Sequence, residues 1–411
     1  MGLRASENKW TLITLYFVTL VMRAAFYATI AVIQSNFYMG GELVGWGASM
    51  VLAIYPLAEL STVSFFGSYS DKIGRKPILV ASLFITAIAA FLFAISPLAI
   101  LAFVFAALFG IGAASKVTTT LSIIADCSGE DDRARLMGYY DLSTLMGLAG
   151  GYGLGMILIQ FGFNVNLILI AASIACAIAG VIAYLVIKET RCETTQEASI
   201  IELLSKVAKD KRIQKMIPVY VPIISLYGLV ISKAEHILET HFSLEATDIL
   251  ILFAMLGGSL VLGIIIMGHL SDHLRKRRPF IVSGLIALGV LAFLLVANAE
   301  HFEQLWSVWP LLPVLGFVAG GFPPAAMAYL TDISEADARG STMGVYSIFF
   351  GSGMIIGPLA GQFFYDTWGL IVGLGILVVI FISIACIGTY FLPEAHGHTD
   401  SISPIEVDDE A

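Results

Sequence analysis

Twelve stretches of this sequence are long and apolar enough to cross the hydrocarbon core of a membrane, and few features constrain a fold more. They run 10–33, 44–68, 78–96, 98–125, 136–160, 165–187, 216–240, 248–270, 280–298, 305–330, 341–365 and 369–392. At about 1.5 Å of rise per residue, each spans the core as a helix. Helix is the form lipid imposes, because hydrocarbon offers no partner to a stray backbone N–H or C=O. Composition agrees: of 411 residues, 58% are hydrophobic and 13% charged, and the mean hydropathy is +0.88. A soluble domain usually carries about 25% charged residues, so this chain cannot coat a water-facing body of its size. The expected fold class is an all-α polytopic membrane protein. The first run is too long for the core of a cleavable signal and lacks a cleavage site.

The basic residues set the expected orientation. With the N-terminus placed inside and loops assigned alternately, 19 of the 22 Lys and Arg fall in inner loops and none in outer loops. Such a bias predicts an integral protein of the cell membrane with both termini cytoplasmic. The longest inner loop divides the chain. The expected domains are a first six-helix bundle at 1–187, a linker at 188–215, a second bundle at 216–393 and an acidic tail at 394–411. Within the linker, Ile200–Val207 has the apolar spacing of an amphipathic surface helix.

The two halves match each other in order. Gly67-Ser-Tyr-Ser-Asp71-Lys-Ile-Gly74-Arg75-Lys76 follows the second run, and Gly268-His-Leu-Ser-Asp272-His-Leu-Arg275-Lys276 follows the eighth, 201 residues later. Asp126, Arg133, Met137, Gly138 and Tyr140 recur 206 residues later as Asp332, Arg339, Met343, Gly344 and Tyr346. So do Gly147, Gly151 and Gly155, as Gly353, Gly357 and Gly361. Small residues four apart share a helix face and permit close helix contact.

The Gly67–Lys76 segment resembles the hallmark loop of the major facilitator superfamily, and the resemblance covers about 10–395. It is loosely similar to the drug:proton antiporter branch, with departures. Tyr152 stands where that branch has a proline after the fifth-helix glycine. Ala106 and Phe109 stand where it has arginine and glutamine. The resemblance implies two pseudo-symmetric six-helix bundles and alternating access by rocking of one bundle against the other. It also implies a gating charge cluster of Asp71, Arg75, Arg133 and Glu189, with a twin of Asp272, Arg339 and Glu394.

Three cations lie inside apolar runs: Arg23 in the first, Lys116 in the fourth and Lys233 in the seventh. Ionisable groups at such depth face a cavity or a partner. By resemblance these runs line the central cavity. Arg23, Tyr27, Lys116, Lys233 and His236 are therefore candidate solute-binding residues, suited to a carboxylate or phosphate. Internal pairing with buried acids is the alternative. Glu59, Asp141 and Glu235 are candidates for that pairing or for proton coupling. In the tenth run, Gly320-Gly321-Phe322-Pro323-Pro324 must break or bend the helix.

No Ser–His pair, catalytic acid cluster or metal spacing is present, and neither an enzyme activity nor a cofactor is expected. The four cysteines show no metal spacing and predict no disulfide. The expected function is secondary active transport of a small organic solute, anionic or amphiphilic, by symport or antiport. Multidrug efflux is the alternative; a membrane sensor or a membrane-embedded enzyme is remote. The expected partners are the solute, the lipid bilayer and protons or another coupling ion. Nucleic acid is excluded, since the basic residues sit in short loops. A monomer is expected. Cysteines placed at Glu42 and Glu303 should react with impermeant thiol reagents added outside intact cells. Protection of both would invert the orientation.

Overall fold

Helix makes up nearly all of the described residues, as a hydrocarbon surround requires. The structure, a computed structural model, describes residues 2–34, 45–95, 98–127, 130–190, 209, 211–240, 246–298, 307–333 and 339–392. The first half of the chain supplies α1 (Gly2–Gln34), α2 (Trp46–Ile73), α3 (Arg75–Ile95), α4 (Ala99–Cys127), α5 (Glu130–Gln160) and α6 (Val165–Val186). After a single turn at Lys211–Gln214, the second half supplies α7 (Ile217–Thr240), α8 (Ala246–Leu274), α9 (Arg278–Ala297), α10 (Leu311–Ala319), α11 (Phe322–Asp332) and α12 (Arg339–Trp368). A π-helical turn at Gly369–Leu374 leads into α13 (Gly375–Tyr390). Successive spans reverse direction, with α10 and α11 forming one span. The end at which α1 begins is called the near end, and the other the far end. Linker residues 191–208, including the Ile200–Val207 stretch, and the tail at 394–411 lie outside the described residues.

Among the described residues, ten helical segments are long and apolar enough to cross a membrane. The seventh expected run counts as a shorter apolar helix, Ile217–Lys233. The eleventh and twelfth runs merge by length and composition into one apolar stretch of 43 residues, Ile348–Tyr390. A straight helix of that length would reach about 65 Å, twice the hydrocarbon thickness. The chain instead turns back at Gly369, where φ is 76°. There Gly373 sits so close to the Phe364 backbone that a Cβ would collide with it.

The glycine rows set the helix packing. α5 lies along α1, and α12 along α7. A Cβ on Gly147 would lie 2.7 Å from Leu20 O and from Arg23 Cβ, and one on Gly155 would lie 2.8 Å from Ala28 O. In the second half a Cβ on Gly353 would reach Ile224 Cβ at 2.5 Å, and one on Gly357 would strike Ser225 O. The two rows thus press against α1 and α7, which carry Arg23 and Lys233. Between the halves, α2 lies along α12, whereas α5 and α8 meet at few points.

The expected break in the tenth run is present. α10 stops at Ala319, Gly320–Gly321 form a turn, and α11 opens with prolines at positions that need no N–H. The break packs against α8: the Gly320 backbone approaches Leu260 O, and Gly263 approaches Phe317 O. It serves close helix contact, and its backbone is buried there.

Two adjacent glycines give opposite expectations. Gly151→Ala must push α5 off the Ala24 backbone, an overpacking that costs roughly 1–3 kcal/mol. It should lower the thermal midpoint of the purified protein. Gly150→Ala meets nothing within 4 Å and should leave the midpoint unchanged. Equal midpoints for the two variants would remove the close-contact reading.

Candidate functional site

A polar cluster is embedded in the first half, between α1, α2, α4 and α5. Residues one turn apart on α1 supply Thr19, Arg23 and Tyr27. Arg23 is 5% exposed and already paired: its Nη2 donates to Glu59 Oε1 on α2 at 3.1 Å. Its Nη1 donates to the other carboxylate oxygen at 3.4 Å, the forked geometry that suits arginine. The guanidinium also lies over the Tyr55 ring, 5.4 Å from its centroid. Lys116 on α4 is fully buried. Its Nζ donates to Thr19 Oγ1 at 3.3 Å and to Tyr140 Oη at 3.4 Å, and sits 4.8 Å from the Tyr140 ring centroid. The Tyr27 and Tyr55 hydroxyls are buried with no hydrogen-bond partner among the described residues. A buried phenol without a partner is costly and marks a place where water or a solute group can bond.

Aromatic rings wall this cluster on the far-end side. Phe26 stacks on Tyr55 at 4.0 Å and meets Phe109 at 5.1 Å, and Phe105 meets Phe109 at 5.4 Å. Ala106 and Phe109, the two departures in the fourth run, therefore lie in an apolar wall.

Lys233 belongs to a second group. It lies 16 residues into α7, about 24 Å along the helix. Its Nζ donates to Gln362 Oε1 on α12 and sits 4.9 Å from the Tyr365 ring centroid. Gln362 Nε2 donates to Asp366 Oδ1 at 2.9 Å, and Trp46 Nε1 of α2 donates to Asp366 Oδ2 at 2.6 Å. The structure thus gathers Arg23, Tyr27, Lys116 and Glu59 and sets Lys233 apart near the far end. The side chains of Asp141, Glu235 and His236 lie outside the described residues. Gln362, Tyr365, Asp366 and Trp46 escaped the sequence reading. The available signal was a glutamine directly after the Gly353–Gly361 row, inside an otherwise apolar run.

At the near end the residues expected to form the gate divide. Glu189 and Arg75 meet, but through the backbone: Glu189 accepts from the Arg75 N–H at 2.9 Å and the Lys76 N–H at 3.1 Å, capping the start of α3. The Arg75 guanidinium donates to Ser122 O of α4 at 2.9 Å. Gly74 has φ 120°, and a Cβ there would lie 2.7 Å from Glu189 Oε2, so only glycine fits. In the second half Arg277 ties the cluster. Its Nε donates to Asp332 Oδ2 at 2.9 Å, and its Nη1 to Ser271 Oγ at 3.1 Å and to Asp272 Oδ1. Arg277 was missed because the repeat was aligned at an offset of 201. That offset sets Lys276 opposite Arg75, whereas three residues join α8 to α9 and only one joins α2 to α3. The side chains of Asp71, Arg133 and Arg339 lie outside the described residues, as does Glu394 entirely.

A helical membrane bundle that buries cations, a carboxylate and open phenols between its spans is built as a transporter. The sequence matches the Major Facilitator Superfamily over residues 12–312 and 219–407, and the chain belongs to that family. It is 28% identical over 332 residues to the class G tetracycline resistance protein of Vibrio anguillarum, covering 79% of this chain and 82% of that one. It is 26% identical over 347 residues to multidrug resistance protein 1 of Bacillus subtilis (81% and 83%). It is 24% identical over 324 residues to the proton-coupled antiporter flippase LtaA of Staphylococcus aureus (76% and 77%). A bacterial homolog of the human lysosomal transporter Spinster, inward-facing and unoccupied, superposes with a TM-score of 0.70 at 14% identity, covering 94% and 96%.

The Arg23–Glu59 pair has a direct test. Arg23→Gln leaves a buried carboxylate without its cation and should destabilise the protein by roughly 3–5 kcal/mol. Adding Glu59→Gln should restore most of that loss in the thermal midpoint of the purified protein. A double variant no more stable than Arg23→Gln alone would show that the two charges do not support each other.

Proposed function

We propose that this transporter exports an amphiphilic organic solute in exchange for protons, with Glu59 as the group that proton and solute use in turn. The observation that carries the reading is the buried Arg23–Glu59 pair beside the Tyr27 and Tyr55 hydroxyls. A proton on Glu59 releases Arg23. A solute that offers a donor to Glu59 and an acceptor to Arg23, Lys116 or Tyr27 favours the ionised carboxylate, so it and the proton exclude each other. Linkage makes that exclusion reciprocal, which is what antiport needs. The apolar wall of Phe26, Phe105 and Phe109 suits the solute's hydrophobic part. The functions of the relatives, tetracycline and multidrug resistance and proton-coupled antiport, support the same direction.

The expected orientation puts the near end in the cytoplasm. The two halves then act as bundles that rock about the cluster. The Arg277–Asp272–Asp332 and Glu189–Arg75 contacts belong to the inner gate, and the Trp46–Asp366 contact lies on the outer side.

A second reading, co-transport of an anion with a proton, draws on the burial of two cations, Arg23 and Lys116, in this cluster. In that case protonation of Glu59 would raise the site's positive charge and strengthen anion binding.

The sign of the proton flux separates the two. Purified protein in weakly buffered proteoliposomes should release protons when tetracycline or a multidrug-pump substrate binds, and that binding should tighten as pH rises. Proton uptake with an organic anion, and binding that weakens as pH rises, would establish the second reading in its place. The Arg23→Gln/Glu59→Gln variant should lose uphill, proton-driven movement of the solute. Unchanged proton stoichiometry in that variant would remove Glu59 from the mechanism.

A further inference from the structure

The hydrogen bonds that leave Lys233 form an unbroken chain across the seam between the halves. Lys233 Nζ on α7 donates to Gln362 Oε1, and Gln362 Nε2 donates to Asp366 Oδ1, one turn further along α12. The second oxygen of Asp366 accepts the indole N–H of Trp46 at 2.6 Å. Trp46 opens α2, a helix of the other half, so Asp366 clasps the two halves together at the far end. Gly45, with φ 81°, brings the start of α2 onto the Gln362 amide; a Cβ there would lie 3.5 Å from Gln362 Nε2. Lys233 and Gln362 are 2% and 4% exposed, so their bond is shielded from water. Asp366 and Trp46 are exposed, so their bond is the outward end of the chain.

We propose that Gln362 and Asp366 are positioning residues that couple the buried Lys233 to closure of the far end. The amide of Gln362 is the transmitter. Its oxygen is held by the lysine, and that contact orients its NH₂ toward Asp366, which in turn presents its free oxygen to Trp46. Whatever draws Lys233 Nζ away from Gln362 lets the amide turn and loosens the clasp. Loosening the clasp frees the amide from the other side. The coupling is therefore reciprocal between a cation inside α7 and a contact between the halves. It requires no particular solute or coupling ion, so it stands or fails independently of the antiport reading.

The experiment uses the full chain in lipid nanodiscs, with native cysteines replaced by alanine. Nitroxide labels are placed through Phe161→Cys and Trp309→Cys, exposed far-end positions on opposite halves that take no part in the chain of bonds. Pulsed electron resonance reads the distance between them. Trp46→Phe keeps a smaller aromatic ring and removes the N–H donor; Lys233→Met removes the other end of the chain. Each should raise the population of long, far-end-open distances about tenfold or more, the weight of one charge-assisted bond. The Trp46→Phe/Lys233→Met variant should raise it no further than the larger single change, because both cut the same chain. If Lys233→Met does not fold, Gln362→Met cuts the chain one link along and carries the same expectation. The proposal is overturned if Trp46→Phe opens the far end while Lys233→Met or Gln362→Met does not, or if the two effects add. It is also overturned if the variants lose thermal stability with no change in the distances.

Discussion

In hydrocarbon a charge survives only where the protein supplies its partner, and the interior of this transporter is organised around that constraint. Arg23 has Glu59, Lys116 has a threonine hydroxyl and a tyrosine, and Lys233 has an amide backed by Asp366. Each partner stands on a different helix from its cation. The charges therefore act as cross-ties as well as candidate binding groups. Every one of these ties joins helices of the same half, so they brace each half from within. A protein that merely needed stability would do as well with apolar residues of matching shape at these places.

The ties work because the backbones behind them are fixed. Gly147 stands against the base of Arg23, so α1 cannot rotate its arginine away from α2 without leaving α5. The same logic holds for α7, whose Ser225 and Leu229 press against Gly357 and Gly361 just before Gln362. Small residues place the helices, and helix placement aims the charges. The asymmetry lies between the halves, where α2 follows α12 closely and α5 barely meets α8.

Much of this was legible in the sequence, because the membrane turns hydropathy into geometry. The spans, the glycine rows, the break at Gly320 and the three internal cations could all be read from spacing. Partnership was legible only as a short list: Glu59 was one of three acids offered for pairing, and nothing local in a separation of 36 residues singles it out for Arg23. Lys233 looked like a third member of one cavity, but its depth depends on where α7 begins. Arg277 was hidden by two extra residues in its loop, where Arg275, with φ 51°, stands at the place of Gly74, whose φ is 120°. Asp366 read as a loop acid between two spans, because a one-dimensional pattern cannot show that Trp46, 320 positions earlier, sits opposite it.

The turn at Gly369–Leu374 bears on how the protein is made. It joins α12 to α13 inside one apolar stretch, Ile348–Tyr390, with no run of polar residues to linger in water between them. Two such spans enter a bilayer most readily as a single hairpin, delivered together by the insertion machinery. The tip of that hairpin carries one charge, Asp366, and with both termini cytoplasmic, as the basic residues lead one to expect, it is the end that crosses the lipid. An acidic residue meets little resistance there, whereas a lysine or arginine would tend to hold the tip back. A carboxylate at that tip is thus compatible with insertion as well as with the contact to Trp46.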